Sequence, residues 1–378
     1  MVVVKEGNAA ITVRKPLFYN PEMEFCRDVS SLAVVSIGAE GGKLNVLDAM
    51  CASGIRGIRY AAENSNVASL LLLDSSPDAC SLAKKNVKAN KIKKAKVVED
   101  EVNHFLFCTP KPNFDLIELD PFGSPAPFLH AACYSLRNKP RAYLSITATD
   151  TAVLCGAHSA ACLKNYQAHP IDNEFCHELA ARILLGKLAR TASAFNFGIT
   201  PLFAISKLHY IKVFVQLDVG AEKAVDSMRS LGYVSHCAKC LNREWRAPMP
   251  AHLACPACKS QYEHAGPLWL GQLWSKQTVH EMQTLNHARN YKGKLQIDSL
   301  LTLISEELAL PPTYFDLHKI SKRLGVSAVS PDRVMDALRK SGFRASKTHF
   351  QTNCVRTDGK IGDVRSAVKR VLSQPRRA

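Results

Sequence analysis

The chain has 378 residues, 47% of them hydrophobic and 22% charged, an ordinary globular composition that excludes a disordered or collagen-like chain. At roughly 150 residues per domain the length suggests two or three domains. Lys and Arg number 49 against 33 Asp and Glu, a net charge of +16 that favours a polyanionic partner, most simply a nucleic acid.

The first half alternates apolar, strand-like runs with helical stretches, the pattern of βαβ units on a parallel sheet. Strands are predicted at 43–48, 70–73, 95–99, 114–119 and 141–147. Ser76 and Pro77 form an N-cap and first-turn proline that open a helix with Lys84, Lys85 and Lys88 outward. Four of the strands end in or just before a carboxylate: Asp48, Asp74, Asp100 and Asp120. An open parallel sheet binds ligands beyond the carboxyl ends of its strands, so these acids ring one crevice. After a helix over about 173–194, the runs 201–205 and 210–217 predict an antiparallel hairpin at the sheet edge. In the second run Ile211, Val213, Val215 and Leu217 alternate with Tyr210, Lys212, Phe214 and Gln216. The main boundary is expected near Asp218, dividing 1–218 from 219–378.

From Ser299 to the end, 15 Lys/Arg stand against 7 Asp/Glu in a separate helical unit. Leu317–Leu324, Gly325 and Pro331–Lys340 resemble a helix-turn-helix; a plain helical hairpin with a solvated basic face is the alternative. No run approaches the ~18 apolar residues of a membrane helix. The opening Met1-Val2-Val3-Val4-Lys5-Glu6 lacks a signal-peptide plan, so a cytoplasmic protein is expected, with no membrane and no evident protein partner.

Three motifs carry chemistry. Leu47-Asp48-Ala49-Met50-Cys51-Ala52-Ser53-Gly54-Ile55-Arg56-Gly57 is a strand, an acid, a turn of small residues and a helix. Small residues let the backbone approach a nucleoside-containing ligand. The dinucleotide fingerprint and the phosphate loop are absent, which weakens NAD and ATP. Arg56 suits a carboxylate, and Asp74 suits two ribose hydroxyls. Ribose, adenine and an amino-acid carboxylate together describe S-adenosylmethionine. A sharp βα turn with no ligand is the structural alternative.

Asp120-Pro121-Phe122-Gly123-Ser124-Pro125 follows the fourth strand. An exocyclic amine has its lone pair delocalised into the ring, so methyl transfer to it needs acceptors on its hydrogens. Asp120 and nearby carbonyls supply these, and Phe122 can stack on a planar base.

Cys237-x2-Cys240-x14-Cys255-x2-Cys258 has the spacing of a closed, structural four-thiolate zinc site in a small ribbon at about 235–264. His236, His252 and His264 are near but unneeded, and Arg243, Trp245, Arg246 and Lys259 are candidate RNA contacts. Most of the other nine cysteines read as small buried hydrophobes. Cys155 and His158 invite a nucleophile reading, but Cys155 is assigned to packing or to shaping the backbone, because cysteine nucleophiles of pyrimidine methylation usually follow a proline at the end of the fourth strand.

Asp120-Pro121-Phe122-Gly123 resembles the Asp/Asn-Pro-Pro-Tyr/Phe signature of amino-methylating enzymes with the class I methyltransferase fold. More closely, the chain resembles the tRNA (guanine-N2)-dimethyltransferase family. The likeness rests on Phe18-Tyr19-Asn20-Pro21, Arg27-Asp28, the segments from Leu47 to Arg59, Asp120 to Pro125, Thr147 to Asp150, Leu154 to His158 and Gly266 to Trp269. It implies a mostly parallel Rossmann-like sheet with a second α+β domain that binds tRNA. It also implies two successive methyl transfers from S-adenosylmethionine to N2 of guanine 26, giving N2,N2-dimethylguanosine.

Carried over, Asp120 contacts the guanine N2, and Phe18 and Phe122 clamp the flipped base. Arg27, Arg56, Asp74 and Asp100 hold the cofactor, with Glu101 and Val102 beside its adenine and Asp48, Asp120 and Pro121 on the cofactor side. At Asp100-Glu101-Val102 the chain departs from the family's Asp-Asp-Ala. Two other readings stay open: an amino-methyltransferase for another base such as adenine, and a zinc-containing DNA-binding regulator, which would not bind S-adenosylhomocysteine.

Overall fold

The computed structural model describes residues 2–14, 19–109 and 113–373. A hairpin, β1 (Val2–Glu6) and β2 (Ala9–Val13), precedes the long helix α1 (Glu24–Gly41). Alternating elements follow: β3 (Leu44–Asp48), α2 (Ile55–Glu63), β4 (Val67–Asp74), α3 (Pro77–Ala89), β5 (Ala95–Glu99), α4 (Val102–Cys108), β6 (Leu116–Leu119), α5 (Ala126–Leu136) and β7 (Arg141–Ala148). Short helices α6 (Thr151–Leu154) and α7 (Ser159–Tyr166) lead to α8 (Cys176–Ser193) and the strands β8 (Phe197–Lys207) and β9 (Tyr210–Val219).

These last two strands and β3 to β7 form one sheet in the order β5-β4-β3-β6-β7-β9-β8. Strands β3 to β7 are parallel, and β9 runs against both of its neighbours. The direction of winding reverses between β3 and β6, which opens a crevice beyond Asp48 and Asp120. Helices cover both faces, so central strands read as continuous apolar runs; all four residues of β6 are buried. The same covering overturns the simple alternation expected of β9, whose residues from Tyr210 to Val215 are all buried. Lys212 is therefore an interior cation and not a solvated one.

Local signals set the helix ends. Ser76 accepts from Ala79 N–H at the start of α3, and Glu101 accepts from His104 N–H at the start of α4. Among the described residues no further strand pairs with the β1–β2 hairpin. Instead Asn86 of α3 and Asn90 at its C-cap bond to both backbone groups of Thr12 and Ala10 respectively, at 2.7–3.1 Å.

Beyond β9, α9 (Ala221–Arg229) packs on the sheet edge, and β10 (Leu231–His236), β11 (Arg243–Arg246) and β12 (Glu263–Trp269) form an antiparallel sheet. Next come α10 (Lys276–His287), which packs on α1, and α11 (Lys294–Glu307). The larger apolar core runs from the main sheet into Val279, Met282, Ile297 and Leu301 of this helix pair. The remainder comprises β13 (Phe315–Asp316), α12 (Leu317–Leu324), α13 (Pro331–Arg339), β14 (Ala345–Ser346), β15 (Cys354–Thr357) and α14 (Ile361–Ser373). It has a small core of its own that includes Ile320, Val334, Leu338, Val364 and Val368.

The predicted helix pair forms, with Gly325 at φ 66° closing α12. The unit is not purely helical, since its three short strands make a sheet. Nor is it detached. Buried Arg356 donates to Glu307 at 2.8 Å and to Glu178 of α8 at 2.7 Å. Among the described residues no helix is long and apolar enough to cross a membrane.

Candidate active site

The turn after β3 builds the floor of a cavity. Ala52 and Gly54 have φ of 45° and 80°, which folds the chain tightly between Asp48 and α2. A Cβ on Gly57 would lie 2.5 Å from the Leu72 side chain, so glycine is what seats α2 against the sheet. Gly57 N–H donates to Asp48 Oδ2 at 2.9 Å. Asp74 accepts from Ala52 N–H at 2.8 Å and from Ser76 N–H at 2.9 Å. Each carboxylate oxygen keeps a lone pair that a ligand hydroxyl can use.

Asp48, Asp74, Met50, Cys51, Ala52, Ser53, Ile55, Arg56, Arg27, Asp120, Pro121, Phe122 and Thr149, with Tyr19, Asn20, Met23 and Ser75, line a cavity of about 360 Å3. That size and its mix of apolar wall and convergent polar groups suit a nucleoside-sized ligand.

Behind Asp120 lies a buried ionic network. Arg56 is bonded to Asp120 and to Ser30 Oγ (3.2 Å), with Glu118 Oε1 3.7 Å from its Nε. Glu118 also accepts from Lys212 Nζ and from Tyr60 OH, the latter at 2.8 Å. Lys212 reaches Thr147 Oγ1 at 3.1 Å. Burial pushes the Asp120 carboxyl upward, but Arg56 and Lys212 outweigh it and hold the group below its ordinary value. Asp48 goes the other way: burial, then the charge of Glu118, push its carboxyl up to about 7. Two carboxyls on one cavity wall are thus shifted in opposite directions by their surroundings.

The Asp-Pro-Phe-Gly turn is fixed from one side. Gly123, at φ 85°, donates its N–H to Thr149 Oγ1 at 2.7 Å, and Thr149 N–H returns to Gly123 O at 3.0 Å. This presents the Phe122 ring outward at the cavity mouth, 76% exposed. Arg27 lines the cavity but is gripped at both ends by Glu6, at 2.6 and 2.7 Å, and Tyr19 OH donates to the same carboxylate at 2.6 Å.

The structure brings Asp48, Asp74, Arg27, Arg56, Asp120, Pro121 and Phe122 together around one cavity. Asp100, Glu101 and Val102 do not line it. Asp100 turns to His104 Nδ1 at 2.7 Å, Glu101 caps α4 and Val102 is buried. Phe18 lies outside the described residues. Arg56 was expected to face a ligand carboxylate, and its guanidinium is engaged by Asp120. Sequence reasoning missed Glu6, Tyr19, Glu118 and Lys212. For Glu118 a signal existed: a carboxylate inside the apolar run Leu116-Ile117-Glu118-Leu119 needs a buried cation.

The four ribbon cysteines converge. Cys237 Sγ lies 3.4 Å from Cys258 Sγ, Cys240 Sγ lies 3.5 Å from Cys255 Sγ, and all four sulfurs are within 4.8 Å of one another. Two matching turns deliver them: Leu241 N–H donates to Cys237 O and Lys259 N–H to Cys255 O, both at 2.8 Å. Leu241 and Lys259 both sit at φ 61°. Four thiols in this arrangement are compatible with a tetrahedral metal ion. Of the ribbon's expected RNA contacts, Trp245, Arg246 and Lys259 are exposed, whereas Arg243 is buried and donates to Glu174 at 2.8 Å. Its guanidinium is spent inside the protein, where an unpaired Glu174 would be costly.

A family model described as N2,N2-dimethylguanosine tRNA methyltransferase matches residues 1–369. A protein of Methanothermobacter thermautotrophicus named tRNA (guanine(26)-N(2))-dimethyltransferase is 35% identical over 386 residues, covering 99% of this chain and 100% of its own. One of the same name from Pyrococcus abyssi is 37% identical over 379 residues, covering 95% and 96%. A solved structure of Trm1 from Pyrococcus horikoshii in complex with S-adenosyl-L-methionine matches with a TM-score of 0.89 at 34% identity, over 97% of this chain and 99% of that one. The chain belongs to the N2,N2-dimethylguanosine tRNA methyltransferase family.

Proposed function

We propose that this chain transfers a methyl group, and then a second, from S-adenosylmethionine to the exocyclic N2 of guanine 26 in tRNA. The observation that carries the chemistry is the charged Asp120 carboxylate beside the exposed Phe122 ring at the mouth of a nucleoside-sized cavity. When bound, S-adenosylmethionine supplies an electrophilic sulfonium methyl. Asp74 offers lone pairs to its ribose hydroxyls, Arg27 and Arg56 put positive charge on the side of its carboxylate, and Asp48 and Pro121 complete the wall. Asp100, Glu101 and Val102 are assigned to the adenine end, outside the cavity as it stands.

Phe122, with Phe18 as the other half of the clamp, stacks on the guanine after it leaves the helix. A stacked, paired N2 cannot reach a donor deep in a crevice, so the base must flip. Asp120 accepts an N2–H hydrogen bond and turns the nitrogen lone pair toward the methyl. A carboxylate of lowered pKa is a weak base, but the nitrogen becomes cationic and strongly acidic as the methyl arrives. The proton then passes readily to Asp120. One N–H remains after the first transfer, so the same acceptor serves the second. Arg56 and Lys212 keep Asp120 ionised and in place.

Residues 1–218 are assigned to catalysis and 219–378 to tRNA binding, with the basic unit at 299–378 on phosphates. Cys237, Cys240, Cys255 and Cys258 are assigned a structural zinc ion, whose closed shell stabilises the ribbon and takes no part in the chemistry. The reaction is assigned to the cytoplasm.

Asp120→Ala tests the site. Methyl transfer should fall by at least ~100-fold, with tRNA affinity nearly unchanged, because the carboxylate acts on the amine and not on phosphates. Near-normal turnover would remove Asp120 from the chemistry.

A further inference from the structure

The reading of Cys155 as a packing residue leaves a feature unexplained. Cys155 Sγ lies 3.6 Å from His177 Nδ1, and Cys176 Sγ is within 4.8 Å of both. All three residues are only half-buried, and nothing in the proposed methyl transfer uses them.

The backbone brings these groups together from the turn between α6 and α7 and from the start of α8. Gly156, at φ 108°, lies so close to Asp172 that a Cβ there would meet its backbone nitrogen at 2.7 Å. Only glycine permits that approach. The contact presses the turn between α6 and α7, which carries Cys155, against the segment that leads into α8. Cys176 and His177 are the first two residues of that helix, which runs for 18 residues. A thiolate at a helix N-terminus faces the positive end of the peptide dipoles, so Cys176 stands where the ligand form is favoured.

We infer that Cys155, Cys176 and His177 form a second metal site, for a divalent cation of the zinc class. With bond lengths of about 2.3 Å to sulfur and 2.0–2.1 Å to nitrogen, a tetrahedral ion holds sulfur and nitrogen about 3.6 Å apart. The observed separation of Cys155 Sγ and His177 Nδ1 already has that length. Two thiolates and a neutral imidazole balance the dication, and water takes the fourth position. Ser206 Oγ, 3.5 Å from the same nitrogen, is the neighbouring polar group on β8. The ion would staple the turn between α6 and α7 to the start of α8. The short helix α6 joins that turn to Thr149, which holds the Asp-Pro-Phe-Gly turn, so the site steadies the active-site wall without touching substrate.

The full-length protein, prepared with zinc and passed over a desalting column, should hold about two zinc ions per chain by elemental analysis, one per cluster. Cys176→Ser should lose one of them, and Cys258→Ser, in the ribbon, the other. In the wild-type protein, zinc should slow alkylation of Cys155 and Cys176 by roughly tenfold or more, read peptide by peptide, and a chelator should reverse this. The labelling needs no variant and stands even if Cys176→Ser fails to fold. A single zinc ion that Cys258→Ser alone removes, with Cys155 and Cys176 labelled equally with and without zinc, would overturn the assignment.

Discussion

The charge state of Asp48 can be read out as pH-dependent stability. Its carboxyl is 2% exposed, accepts the Gly57 N–H and is raised from 3.8 to about 7 by burial and by Glu118. The unfolded chain gives up this proton near pH 4 and the folded chain only near pH 7. Folding is therefore relatively favoured below pH 4, and the penalty grows as pH rises between the two values. A shift of about 3 units corresponds to about 4 kcal/mol in all, of which about 3 kcal/mol is lost between pH 5 and pH 8. Asparagine at 48 keeps an acceptor for the Gly57 N–H and has no proton to lose. Denaturant midpoints of the wild type and Asp48→Asn should be measured at pH 5, 6, 7 and 8, and converted with the common slope. The variant should gain on the wild type steadily, by about 3 kcal/mol over that range. Titrations elsewhere, the ribbon thiols included, are shared and cancel in the difference. Two curves that stay parallel from pH 5 to pH 8 would refute the raised Asp48, and with it the contrast with Asp120.

Lys212→Met strands Glu118 with one cation fewer and should cost about 3–5 kcal/mol, part of which Glu118→Gln added to it should restore. It also removes one of the charges that lower Asp120, so the acid limb of methyl transfer should move to higher pH; an unmoved limb would separate Lys212 from the site. Phe122→Ala should leave stability within about 0.5 kcal/mol, because the ring is exposed. A stacking contribution of about 1–3 kcal/mol per base predicts a fall in kcat/KM of roughly 5- to 150-fold, and an unchanged kcat/KM would rule out the stacking role.

The parallel strands, the acids at their ends and the four-cysteine spacing were legible because each depends on residues close together in the chain. Asp48, Asp74 and Asp120 meet at one cavity because the topology of alternating strands and helices places their strand ends side by side. The network behind Asp120 was not legible. Glu118 and Lys212 are 94 residues apart, and no local pattern pairs them. Lys212 sat on what read as the polar side of an alternating strand, and only the helices on both faces of the sheet make that side interior. The β1–β2 hairpin escaped for a related reason. Its outer backbone groups bond to the side chains of Asn86 and Asn90, on a helix more than 70 residues away. Arg56 was legible as a cavity residue, yet its engagement with Asp120 depends on where β6 ends relative to α2.

The central claim, methyl transfer to N2 of guanine 26, is tested most directly with purified protein, labelled S-adenosylmethionine and an unmodified tRNA transcript. The product is digested to nucleosides and identified by mass spectrometry. The account predicts N2-methylguanosine early and N2,N2-dimethylguanosine late, both lost when guanine 26 is replaced by adenine. Label on another atom or another base, or methylation that survives this replacement, would contradict it.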